Sequence, residues 1–216
     1  MRLASPLLCC SALLLLPLLP AAPGRTSLMV GTSELTHGAE AQKTKGTPSH
    51  GLVEPAWTAR YAITPERKAL LDTIRFAEGT WRGGSPEGYR VIFGGGLVSN
   101  LKRHPERVVV RGYASAAAGA YQFMPATWES AADSLNLRGF GPANQDQAAL
   151  YLVERSGALA AIDRGRLTPD LMARLAPIWA SFPNQAGESH YGQPVKRGND
   201  LSRFYAQSLE RLRATS

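Results

Sequence analysis

The tripeptide Thr64-Pro65-Glu66 is the strongest local constraint in the chain. It sets a capping hydroxyl, a proline at the first helical position and an acid near the positive end of the helix dipole in direct succession. Leu70, Leu71, Ile74 and Ala77 then recur at helical spacing, and Gly79 ends the run. The pattern predicts a helix over about 65–78. Leu71, Ile74 and Glu78 share one face of it, so an acid lies in line with the apolar stripe. Glu78 also occupies the last turn, where the dipole disfavours negative charge. Desolvation and the dipole both favour its protonated form. A carboxyl that keeps its proton near neutral pH is what a general acid requires. Spacing alone fits equally an acid that reaches solvent or pairs with Arg75 or Arg82. Gly79 and the later Gly94-Gly95-Gly96 tip the balance towards a cleft, because glycines let a backbone approach a bulky ligand.

Downstream, Tyr89 to Phe93 reads as a strand that turns at the three glycines and returns through Leu97-Val98. Val108 to Val110 is a candidate third strand. Helical patterns follow at 125–135, 142–155, 168–175 and 201–212. The expected class is α+β, mostly helical with one small antiparallel sheet or hairpin lining a cleft. Between sheet and helices runs Ser115-Ala116-Ala117-Ala118-Gly119-Ala120-Tyr121-Gln122. Small residues allow close packing of chain segments. Tyr121 and Gln122 then offer a flat ring and an amide, groups that suit sugar rings, hydroxyls and N-acetyl groups. Phe123 and Trp128 are expected in the core, and Tyr121 is open between core and platform.

Residues 1–24 hold Arg2, an apolar run from Leu7 to Leu19, and small residues at Ala21, Ala22 and Gly24. That order predicts a secretory signal peptide, with cleavage after Ala22 or Gly24. The run is short for a membrane span and carries Pro17 and Pro20. Residues 25–59 are rich in Ser, Thr, Gly and Lys without periodicity and read as a flexible linker, leaving 60–216 as the folded domain. Cys9 and Cys10, the two cysteines of the chain, leave with the signal, so disulfides and thiol chemistry drop out. The net charge of +7 points to an anionic partner: nucleic acid, a membrane surface or a wall polymer. No basic cluster with interleaved aromatics appears, which speaks against nucleic acid. His37, His50, His104 and His190 lack ligand spacing, so no metal is implied, and no Lys-Ser/Thr follows the glycines to make a phosphate loop.

Six segments in order resemble the phage-lambda-type endolysins, lytic enzymes of the lysozyme superfamily. They are RKALLDTIRFAEGT at 67–80, GYRVIFGGGL at 88–97, SAAAGAYQFMPATW at 115–128, DQAALYLVERSGAL at 146–159, IDRG at 162–165 and IWASFP at 178–183, with YGQ at 191–193 after them. The resemblance covers about 66–212 and implies a lysozyme-like fold. It implies a lytic transglycosylase that cleaves the β-1,4 bond between N-acetylmuramic acid and N-acetylglucosamine, leaving a 1,6-anhydro end. The single catalytic Glu of that family falls at Glu78, with Tyr89, Tyr121 and Gln122 as candidate substrate contacts. The signal and linker set this chain apart from the phage proteins and predict a secreted or periplasmic enzyme; the expected partner is peptidoglycan strands, met as a monomer with no metal, organic cofactor, nucleic acid or stable membrane anchor. A hydrolysing lysozyme usually needs a second carboxylate. Glu87 is the candidate but reads as a solvated turn acid, and Asp72 and Asp146 read as surface or helix-terminal groups. The out-of-class alternative is a non-catalytic glycan-binding module. The segment between Glu78 and Tyr89 is shorter than in the phage proteins.

Overall fold

The structure, a computed structural model, describes residues 59–216. The predicted signal, all but the last residue of the 25–59 linker, and both cysteines lie outside them. The described residues form six helices: α1 (Pro65–Ala77), α2 (Pro125–Leu135), α3 (Pro142–Arg155), α4 (Leu159–Ile162), α5 (Pro169–Leu175) and α6 (Gly198–Ala214). A two-stranded antiparallel sheet joins β1 (Val109–Arg111) to β2 (Tyr113–Ser115). The architecture is α+β and mostly helical, as the sequence predicts.

Four of the helices carry proline in their first turn: α1, α2, α3 and α5. Two of these starts also have a threonine cap. Thr64 Oγ1 accepts from the Arg67 amide and Thr168 Oγ1 from the Leu171 amide, both at 3.3 Å. α1 packs chiefly on α6, burying Ala69, Leu70, Leu71 and Ile74 completely. Each buried Leu or Ile contributes about 1.5–3 kcal/mol relative to its exposed state. α3 packs on α2, with Ala148, Ala149, Leu150 and Val153 fully enclosed. The short α4 escapes the sequence reading, because four residues are too few to show a period.

The sheet sits further along the chain than expected. Residues 86–90 wind into a 3₁₀ turn behind Pro86, where Ser85 Oγ accepts from the Glu87 amide at 3.2 Å. The predicted hairpin at 89–98 is thereby reduced to a single bridge, Val91 to Leu97. The candidate third strand at Val108–Val110 is the one that pairs. It turns at Gly112, whose φ of 78° lies in the left-handed region that glycine adopts freely. The register sets Val109 opposite Ser115, Val110 opposite Ala114 and Arg111 opposite Tyr113.

Candidate active site

Glu78 closes α1 as its C-cap residue, and the two following residues complete a Schellman motif. The Gly79 amide donates to Phe76 O at 3.3 Å and the Thr80 amide to Arg75 O at 2.8 Å. Gly79 has φ 73°, which a side chain would strain. Thr80 is buried, and its Oγ1 donates across to Ala120 O at 2.5 Å. The Glu-Gly-Thr sequence thus stops the helix, leaves Glu78 only partly buried and anchors the outgoing chain.

The Glu78 carboxyl receives a hydrogen bond from Ser181 Oγ at 2.6 Å, across 103 residues of chain. Burial pushes its pKa up to about 7, and the Ser181 hydroxyl pulls in the opposite direction. On β2, burial first and the Glu78 charge second hold the Tyr113 phenol above its ordinary value. Neither arginine considered as a partner pairs with Glu78. Arg75 reaches Asp72 at 3.6 Å, and Arg82 reaches Glu87 at 3.8 Å.

Behind Glu78, the small-residue run packs as its composition suggests. Ala118 and Ala120 are fully buried. The Phe93 amide donates to Ala117 O at 2.8 Å, and the Gly119 amide to Val91 O at 2.7 Å. Gln145, wholly buried on α3, serves both sides of this turn. Its Oε1 accepts from the Ala120 amide at 2.8 Å, and its Nε2 donates to Tyr89 O at 3.0 Å and Phe140 O at 2.7 Å. A Cβ at Gly119 would collide with that amide.

Of the candidate substrate contacts, only Gln122 reaches solvent. Its backbone is held at φ 46°, and its Nε2 donates to Gly119 O at 3.0 Å and Val91 O at 3.3 Å. Tyr121 is 0% exposed and Tyr89 7%, so neither offers an open ring face to a sugar. Tyr121, left open by the sequence between core and platform, lies in the core. Both phenols donate instead to Asp146 Oδ1, Tyr89 at 2.8 Å and Tyr121 at 2.5 Å. Phe123 and Trp128 are core residues, as expected.

Two carboxylates also depart from expectation. Asp146, read as a surface or helix-terminal acid, is partly buried as the acceptor of this tyrosine pair, and burial raises its pKa. Asp72 is buried within α1 between Lys68 and Arg75. Glu87 conforms to its reading as an exposed turn acid, half in solvent beside Arg82.

Several residues that build the site carried no distinct sequence signal. Trp179 Nε1 donates to Tyr121 O at 3.1 Å, and Trp179 and Phe182 are buried on either side of Ser181. The IWASFP segment marked that stretch without showing which side chain matters. Tyr113 stands at the surface against Phe93, ring centroids 4.8 Å apart. A cavity of about 460 Å³ lies elsewhere, between Trp81 and Phe204 and Arg211 of α6. Among the described residues, no group of His, Cys, Asp or Glu is arranged to hold a metal.

Residues 68–212 match the endolysin family. The chain belongs to that family. The endolysin of Escherichia phage lambda is 38% identical over 144 residues, which cover 64% of this chain and 88% of the relative. The endolysin of Escherichia phage P2 is 40% identical over 83 residues, 38% of this chain and 47% of its own length. The solved bacteriophage lambda lysozyme complexed with a chitohexasaccharide superposes with a TM-score of 0.63 at 33% identity. The match covers 68% of this chain and 96% of that one. A second structure of lysozyme from bacteriophage lambda gives 0.58 at 30% identity, covering 70% and 96%. This endolysin is therefore a peptidoglycan-degrading enzyme of the lysozyme type.

Proposed function

We propose that this endolysin cleaves the β-1,4 bond between N-acetylmuramic acid and N-acetylglucosamine as a lytic transglycosylase, with Glu78 as its single acid and base. The observation that carries the reading is the environment of Glu78. Burial and one serine hydroxyl set its titration, and no second carboxylate is among its influences. A pKa of about 7 lets one group give a proton and then take one at neutral pH. Protonated Glu78 donates to the glycosidic oxygen as the C1–O bond breaks. The resulting carboxylate then accepts the proton of the muramoyl C6 hydroxyl as O6 bonds to C1, closing the anhydro ring. An intramolecular nucleophile needs no activated water, because it is already held at high effective concentration. Glu87, the one alternative partner, is turned to solvent beside Arg82.

The similarity to a lysozyme that holds a chitohexasaccharide supports a β-1,4-linked amino-sugar polymer as substrate. We assign Gln122 to the substrate side, and Tyr89 and Tyr121 to the support behind it. The signal-like segment 1–24 and the linker 25–59 support an exported enzyme that meets the wall from outside the cytoplasm, with 60–216 as the catalytic unit acting as a monomer. Mass analysis of fragments from purified peptidoglycan tests the reaction. Anhydro-muramoyl ends are expected. Reducing ends would assign hydrolysis, and wall binding without fragments would leave a glycan-binding module.

A further inference from the structure

Ser181 is the hydrogen-bond partner of the Glu78 carboxyl. Its own setting is rigid. Trp179 and Phe182 on either side are buried, the Trp179 indole is tied to Tyr121 O, and the Lys196 amide donates to Ser181 O at 3.0 Å. The serine backbone is thus fixed relative to the Tyr121–Gln122 turn, and the Thr80–Ala120 bond fixes Glu78 relative to the same turn. Two independent anchors converge on one carboxyl group.

A serine hydroxyl has one proton, and here it is given to Glu78 Oε1. That oxygen is then the acceptor half of the acid, and the exchangeable proton belongs on Oε2. We infer that Ser181 is a positioning residue for Glu78, holding one carboxyl oxygen so that the other is presented to the glycosidic oxygen and then to the C6 hydroxyl. This rests on the transglycosylase reading above. It adds that a carboxyl ending a helix, free to rotate about its last bonds, is restrained by a residue from the far end of the chain.

The arrangement also sets when Glu78 acts. A hydroxyl donated to a carboxylate stabilises the charged form, so Ser181 opposes the burial that holds the proton on. Of the groups facing Glu78, Tyr113 on β2 is the titratable side chain that senses its charge. Its pKa is raised, so it stays a neutral phenol across the working range. Removing the serine hydroxyl therefore leaves burial unopposed and raises the Glu78 pKa. The alkaline limb of the activity profile then moves to higher pH while the rate falls.

The test compares wild type, Ser181→Ala, Ser181→Thr and Glu78→Gln on purified peptidoglycan, with carboxyl-carbon NMR titration of Glu78 assigned through Glu78→Gln. Ser181→Ala is expected to lower kcat about 10–100-fold, with KM little changed, and to shift both the alkaline limb and the NMR midpoint upward. Ser181→Thr, which keeps the hydroxyl, is expected to return both midpoints towards wild type. An unmoved midpoint in Ser181→Ala overturns the inference whatever the rate does, because a merely structural loss would not titrate. Equal loss in Ala and Thr with unmoved midpoints overturns it too. The NMR arm needs a folded protein and not an active one. Retained activity in Glu78→Gln would instead sink the underlying reading and is separable from either result.

Discussion

Tyr89 and Tyr121 meet edge to face at 6.3 Å, shut away from water, with both hydroxyls on one aspartate. Phe93 and Tyr113 lie 4.8 Å apart at the surface, where Tyr113 is 48% exposed. Both pairs flank the segments that follow α1, yet they do different work. The first pair is structural, and its phenols replace water with a partly buried acceptor. The second keeps ring surface open beside the sheet, on Tyr113 of β2. An aromatic near a candidate catalytic carboxylate is therefore not by that fact a sugar platform. What decides is whether its hydroxyl has been claimed from behind.

The largest effect expected lies with Glu78 itself. Glu78→Gln should lower wall-clearing activity by at least about 10³-fold, or about 4 kcal/mol of transition-state stabilisation, with the fold intact by circular dichroism. Next comes the buried pair. Asp146→Leu strands two phenols without an acceptor and should cost about 2–4 kcal/mol in urea unfolding.

The pH dependence follows third. Glu78 binds its proton more tightly folded than unfolded, since its pKa rises from 4.5 to about 7. Folding stability therefore falls as pH rises from about 4.5 to about 7, and the penalty persists above. Glu78→Gln, which cannot ionise, should melt a few degrees above wild type at pH 8 and lose that advantage near pH 4. Wild-type activity should decline above about 7 as the acid form disappears.

The exposed pair should give smaller and different effects. Tyr113→Ala should raise KM several-fold, about 1 kcal/mol, while changing unfolding free energy by less than about 0.5 kcal/mol. If Tyr113→Ala destabilises as much as Asp146→Leu, the contrast between the pairs is wrong. Val110→Thr on the outer face of β1, at 71% exposure, should do least, within about 0.5 kcal/mol and without effect on KM.

The helices were legible in the sequence because their signals are local. Proline and threonine mark the starts of α1 and α5, and the apolar stripes supply the period. The place of Glu78 at the end of α1 was legible for the same reason, since the helix face and the glycine stop lie within a few residues. The sheet was misplaced because YRVIF has strand composition but follows Pro86, and the 3₁₀ turn there consumes its first residues. Tyr121 was illegible in a different way. Its fate depends on Asp146, 25 residues on, and no local pattern announces that a helix will present an acceptor to it. Ser181 stands further still from its partner, inside a segment recognisable only by resemblance.

That separation has a consequence for the life of the molecule. The acid is written near the start of the domain, but its restraint arrives only when the last third of the chain has been made and packed. A partial chain carries Glu78 while lacking both the serine and α6, the helix on which α1 packs. For an enzyme whose product is a breach in a wall, the chain order works as a time lock: the blade is forged early and the handle is fitted last.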